Sequence, residues 1–270
     1  MSSEIKVDTI SENTSANGVA IDSLGIKDGK VTNLMNATLS AADLGTGLHV
    51  KTGDSSVSSL SVSHDELIVE SDGNAGISIL GGTSNQVGIA FGDSGDSDVG
   101  RINYTHSDNV MRFINNGSEN MTMNTDGEVT KSAQPAFCTV PASEQSNIGN
   151  NDTIVFGTER FDIGSNFASN TFTAPLTGKY QLNYSVTFGN IDIDADHMRI
   201  TLVTSNKSYE NLFDPGSHDT DAVFFNMSMS VMTEMDASDT AFLRFDFGGI
   251  SDPSQIDIKT ASSFSGFLAC

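Results

Sequence analysis

Four stretches of this chain place apolar side chains at every second position: Tyr180-Gln-Leu-Asn-Tyr-Ser-Val-Thr-Phe188, Met198-Arg-Ile-Thr-Leu202, Phe225-Asn-Met-Ser-Met-Ser-Val231 and Phe242-Leu-Arg-Phe-Asp-Phe247. Successive side chains of a strand point to opposite faces, so such segments bury one face and wet the other. They predict long, half-buried antiparallel strands with an aromatic inner face. Counting outward from them gives about eight to ten strands between residues 133 and 270, the strand density of a β-sandwich or jelly roll. Composition points the same way. Ser, Thr and Asn make up 82 of the 270 residues, charged residues only 18%, and most of the 16 Phe follow residue 133. That is a turn-rich, β-leaning chain.

Ahead of Ser132-Ala-Gln-Pro135, a hinge-like break, the texture is different. Ile5 and Val7, Val19 and Ile21, and Leu24 and Ile26 alternate in brief extended pieces, divided by Asn17-Gly18 and Asp28-Gly29. Both dipeptides are strong turn signals. Leu34, Met35, Ala37, Ala41, Ala42 and Leu44 predict a short helix over residues 33–45, capped by Gly45. Residues 46–132 return to short alternating strands, as at Ile77 and Ile79, at Val87, Ile89 and Phe91, and at Met121 and Met123. Pieces this short cannot bury a face alone and need a partner surface. The division expected is an anchoring segment over residues 1–45, a β-rich oligomeric shaft over residues 46–132 and a folded head over residues 133–270.

Charge narrows the partners. The net charge is −22, spread evenly, with −11 in residues 1–132 and −11 in residues 133–270. A field of that sign repels phosphate backbones and anionic membranes, which argues against nucleic-acid binding. No apolar run approaches the roughly 18 residues a membrane span needs. Met1-Ser-Ser-Glu-Ile-Lys-Val-Asp8 has no basic start or apolar core of the signal-peptide kind, and two cysteines, Cys138 and Cys270, make no disulfide framework. Synthesis in a reducing cytoplasm, with both thiols reduced and Cys138 in the core of the first head strand, is the expectation.

In the head, the spacing of Phe156, Asp162, Phe167, Phe172, Gly178, Tyr180, Leu182 and Tyr184 resembles the signature of the complement-type globular heads. That family shares its trimeric jelly roll with the tumour necrosis factors. The ending Ser263-Phe-Ser-Gly-Phe-Leu268 and the start Pro135-Ala-Phe-Cys-Thr-Val140 are similar to the family's last and first strands, which pair. A short Phe167–Phe172 gap and Leu182 in place of an aromatic depart from the pattern. The resemblance implies an all-β homotrimer with a ten-stranded jelly-roll head, ligand binding through variable loops, and no catalysis.

The stretches Ile5-Lys-Val-Asp-Thr-Ile-Ser-Glu-Asn-Thr-Ser-Ala-Asn-Gly-Val-Ala-Ile-Asp22 and Phe91-Gly-Asp-Ser-Gly-Asp-Ser-Asp-Val-Gly-Arg-Ile102 resemble segments of fibre and other virion proteins of tailed bacteriophages. This implies a virion appendage, made in the host cytoplasm, with the N-terminus toward the particle. Residues 1–32 would then hold a tail or capsid protein.

Candidate chemistry is sparse. Asp192, Asp194, Asp196 and His197 form the densest ligand cluster, and alternating carboxylates there could hold calcium. The cluster is no EF-hand, because its sixth and twelfth positions are His197 and Val203 rather than Gly and Glu. Asp93, Asp96 and Asp98 read as turn residues. His49, His64, His106, His197 and His218 are scattered, without metal spacing, and read as surface polar residues. No Gly-x-Ser-x-Gly elbow accompanies His64-Asp65-Glu66.

The function expected is a homotrimeric tail fibre that adsorbs to a host-surface glycan or protein. Its contacts would fall on loops 189–197, 213–221 and 248–254, through Asp192, Asp194, Asp196, His197, Asp219 and Asp221. The alternative is a structural virion protein, a capsid head fibre or decoration or a tail adaptor, whose head clamps the trimer. A capsule-degrading enzyme is the remote rival. Its paired carboxylates about 5–9.5 Å apart in a long aromatic-lined groove have no counterpart in a short shaft with no Trp.

Overall fold

The computed structural model describes residues 25–26, 31–32, 39–40, 48–218, 220–249 and 256–270. By contact the chain divides into two compact units, Met1–Leu80 and Gly81–Cys270.

In the first unit, β1 (Gly25–Ile26) pairs antiparallel with β2 (Val31–Thr32), with Asp28-Gly29 between them. β3 (Leu39–Ser40) lies antiparallel to β4 (Leu48–Lys51), which runs parallel to β5 (Leu67–Glu70). The expected helix over 33–45 is therefore corrected at Leu39–Ser40, whose backbone pairs with Val50 and His49. The rest of that span, the alternating pieces before residue 25 and the interval 27–30 lie outside the described residues. Ile77 and Ile79, expected as a strand, carry no strand pairing and are exposed.

His49 corrects a second expectation. It is fully buried, with its Nε2 2.8 Å from the Glu70 carboxylate. Position 49 faces Ile68 in the parallel pair, so the ring is enclosed and the neighbouring acid compensates it. Asp65 is buried as well.

The second unit opens with an antiparallel meander of β6 (Gln86–Phe91), β7 (Gly100–Thr105), β8 (Val110–Asn115), β9 (Ser118–Met123) and β10 (Val129–Thr130). Its register sets Val87, Tyr104, Met111, Met123 and Val129 in one row across all five strands. The next row on that face holds Ile89, Ile102, Phe113 and Met121. Asp93, Asp96 and Asp98 close the β6–β7 turn. Asp93 Oδ1 accepts the Gly95 amide at 2.7 Å, Asp96 Oδ1 accepts that of Asp98, and Asp98 pairs with Arg101.

The head follows. One sheet has the order β12 (Thr158–Ile163), β11 (Ala136–Val140), β21 (Ser263–Leu268), β15 (Gly178–Ile191), β18 (Ala222–Met235), with β20 (Asp257–Ile258) added on β15. The other has the order β13 (Phe167–Ala168), β14 (Thr171–Thr173), β19 (Thr240–Gly248), β16 (His197–Thr204), β17 (Ser208–Phe213). Two five-stranded sheets face each other, a ten-stranded jelly roll to which β20 adds one short pairing. First and last strands pair, Phe137 with Gly266 and Cys138 with Ser265.

Between the sheets, Phe137 stacks on Phe172 at 4.7 Å and Phe167 at 5.2 Å and meets Phe264 edge-on at 5.0 Å. Phe156, Tyr180, Leu182 and Tyr184 are buried in the same core. Asp162 holds the turn after β12 by accepting the Asn166 and Phe167 amides at 3.0 and 2.9 Å. A Cβ at Gly178 would lie 2.6 Å from Leu268 Cδ1 and 2.8 Å from the Cys270 carbonyl, so only glycine lets the chain end pass there.

Cys138 is half-buried and points away from this core, since Phe137 and Thr139 are the buried neighbours. The Thr139 hydroxyl is satisfied by donating to the Phe264 carbonyl at 3.1 Å, which lets a polar residue take the inner phase.

Candidate functional site

The head is entered at one end and turns most of its polar loops out at the other. Leu268 N–H donates to the Pro135 carbonyl, Gln134 donates to the Leu268 carbonyl, and Lys179 N–H donates to the Cys270 carbonyl. Gln134 and Pro135, the last residues and the start of β15 therefore sit together. From there β15 runs 14 residues to Ile191, roughly 43 Å at about 3.3 Å per residue.

At its far end the described parts of the three expected loops converge. Asp196 N–H donates to the Gly248 carbonyl at 2.8 Å, and Ile193 N–H donates to Asp221 Oδ1 at 3.2 Å. Asp192 Oδ1 accepts the Asp194 amide at 2.8 Å in an Asx turn. Asp194, Asp196 and Asp221 are exposed; Asp192 and His197 are half-buried. In the loop at 213–221, Asp214 caps the 3-10 turn Pro215–Ser217. Asp219 and residues 250–254 lie outside the described residues.

Asp192, Asp194 and Asp196 do not close around one point. Asp192 is engaged by the turn, and Asp196 lies against Gly249, where a Cβ would come 2.4 Å from its carboxyl carbon. Among the described residues no three His, Cys, Asp or Glu side chains are grouped to hold a metal. His197 stands 3.7 Å from Asp246, which also takes a forked contact from Arg199, with Nε at 2.9 and 3.0 Å and Nη2 at 2.8 Å. That fork, followed by Glu210, raises the Arg199 pKa above its ordinary value.

Beside these loops opens a cleft of about 570 Å³ lined by Ser146, Asn147, Asn190, Asp221, Val223 and Asp257. Asp257 is buried and fixes its wall. Its carboxylate accepts the Asn147 amide at 3.1 Å, the Asn190 side chain at 2.9 Å and Lys259 at 3.1 Å. Burial pushes its pKa up, but Lys259 and the two asparagines outweigh burial, so the carboxyl sits below its ordinary value. Asn147 and Asn190 both adopt left-handed backbone, at φ 56°, which Asn tolerates better than most residues.

Sequence reasoning missed Asp257 because Ile256, Asp257 and Ile258 are all buried, with no alternation to flag the acid. Asn147 carried no signal either. Among the described residues, what the loops and cleft offer is hydrogen bonding and the negative charge of Asp192, Asp194, Asp196 and Asp221.

The outer face of the β12–β11–β21–β15–β18 sheet is a second surface. Its middle is small and polar, with Ser265, Asn183 and Ser230 in one row. Phe161, Phe267, Met232 and Phe224 stand exposed around it.

Residues 136–269 match the C1q domain family and form a C1q/TNF-like jelly roll. Among solved structures, the globular domain of zebrafish complement 1qA is similar at 15% identity and TM-score 0.39, covering 51% of this chain and 98% of that one. The crystal structure of murine APRIL is similar at 10% identity and TM-score 0.37, covering 50% and 98%. No curated protein matches the chain. C1q/TNF-like domains are typically trimeric, and are generally binding or structural modules rather than enzymes.

Proposed function

We propose that this chain is a homotrimeric, non-enzymatic binding appendage, the tail fibre of a bacteriophage, whose head adsorbs to a glycan or protein of the host surface. The observation that carries this is the polarity of the head. The chain enters beside Pro135 and Leu268, and the loops holding Asp192, Asp194, Asp196, His197 and Asp221 lie at the opposite end of β15. A head attached in that sense offers those loops to whatever lies beyond the particle. Loops carried on a rigid sandwich are the usual place for recognition, and three copies per fibre add avidity to weak single contacts. The anchor of residues 1–32 on a virion protein belongs to the same proposal.

The test is adsorption. Purified full-length protein competes with virions for host cells, and a variant with Asp192, Asp194, Asp196 and Asp221 all changed to Asn competes at least tenfold less well at unchanged oligomeric mass. Equal competition by the variant refutes the loop assignment. No competition by either protein, with the head held against another virion protein, supports the structural alternative. The exposed apolar fringe of the outer sheet face favours that reading, because a trimer clamp needs only that face.

A further inference from the structure

The meander β6–β10 has two chemically different faces. One is mostly polar, with Arg101, Asn103 and Thr122, and with Arg112 bridged to Asp108 and Glu119. The other, set by the Val87 and Ile89 rows, holds no charged side chain. On it Ile89 is 49% exposed, Phe91 56%, Ile102 37%, Met123 43% and Val129 51%. An aromatic side chain such as Phe91 carries on the order of 150–250 Å² and the four aliphatic ones less, so these five together leave a few hundred Å² of apolar surface in water. A contiguous apolar patch of a few hundred Å² is the size at which such patches are often functional.

We propose that this face is covered by the same face of other copies of this chain, as a second interchain surface below the head. The proposal rests on the trimer reading above. Two observations select copies of the chain as the occupant. First, Val129 lines a cleft of about 300 Å³ together with Ala136, Ile163 and Phe267, the apolar row at one edge of the outer head face, with Lys131, Gln134 and Pro135 completing its wall. The two surfaces meet at this cleft, so copies gathered about the head face also reach the meander. Second, each copy carries a net charge of −22, so like copies repel and can touch only where charge is missing. The meander face is such a place. Its area is below the ~800 Å² per partner of a stable interface, so it extends the head contact rather than replacing it.

The test uses the full chain with Cys138 and Cys270 changed to Ser, carrying Ile89→Cys or Gln86→Cys, on opposite faces of β6. Native mass is read alongside the maleimide labelling rate. The expected result is a trimer in which the thiol at position 89 reacts at least tenfold more slowly than that at position 86. A trimer with equal rates overturns the meander proposal and leaves the trimer reading standing. A monomer with equal rates removes both. Slow labelling at position 89 in a monomer assigns the cover to the same chain and also overturns the proposal. In a second pair, Ile89→Asp raises the trimer dissociation midpoint at least tenfold in protein concentration while Gln86→Asp does not. Equal midpoints for the two variants overturn the proposal.

Discussion

Phe137 in β11 and Phe161 in the neighbouring strand β12 stand on opposite faces of one sheet, and truncating each to alanine separates the head core from its outer surface. Phe137 is 1% exposed and contacts Phe167, Phe172 and Phe264 with ring centroids at 5.2, 4.7 and 5.0 Å. Removing a buried ring costs about 3–5 kcal/mol, and three ring partners put Phe137→Ala toward the upper end. With a urea slope of about 2 kcal/mol/M, the unfolding midpoint falls by roughly 2 M.

Phe161 pairs with Cys138 and is 51% exposed. Half-burial of a Phe contributes about 1 kcal/mol, so Phe161→Ala moves the midpoint by about 0.5 M in an isolated head. If a neighbouring copy covers Phe161, that cost grows with protein concentration. The probe is near-UV circular dichroism of the full chain, because there is no Trp and three of the four Tyr lie after residue 133. A one-residue slip of β11 would exchange the two faces. A larger loss at Phe161 than at Phe137 at every concentration refutes the register on which the head core rests.

Further perturbations follow from particular contacts. Gly178→Ala pushes a methyl into Leu268 and the Cys270 carbonyl, so the last residues loosen; carboxypeptidase releases Cys270 and Ala269 faster than from the parent, and equal release rates contradict the close approach. Asp257 has its folded pKa held below the ordinary value of 3.8, so its contribution is complete above that value and is lost as pH falls through the folded one. Asp257→Asn flattens the acid limb of the stability curve below about pH 4, measured by urea midpoints from pH 2 to 6; an unchanged limb refutes the Lys259 and Asn147 network. Burial pushes the Tyr184 phenol up to about 12 and raises that of Tyr180 as well, so spectrophotometric titration of the folded chain leaves at least one tyrosine un-ionised past pH 11 that ionises normally in denaturant; four tyrosines titrating together contradict the burial of Tyr184.

The head was legible in the sequence because burial and alternation coincide there. Tyr180, Leu182, Tyr184, Val186 and Phe188 are all buried and the residues between them are not. Where the coincidence fails, so does the reading. Thr139 takes an inner position that polarity disguises, which turned Cys138 outward against expectation. His49 is enclosed by a parallel strand pairing between positions 49 and 68, a non-local contact with no periodic trace. The helix composition around Leu39 is local, and tertiary pairing with Val50 overrides it. The convergence of Asp192, Asp194 and Asp196 at one end with Asp221 follows from the loops between predicted strands. The Asp257 network does not, because Asn147 and Asn190 lie 110 and 67 residues from Asp257 in sequence.

Cryo-electron microscopy of the virion on which this chain is proposed to stand tests that role most directly. The expected density is a threefold appendage in which the Pro135 end of each head faces the particle and the Asp192–His197 loops lie farthest from it, free of other virion proteins. Heads packed with those loops against the shell, or against a neighbouring tail protein, contradict host-surface binding through them.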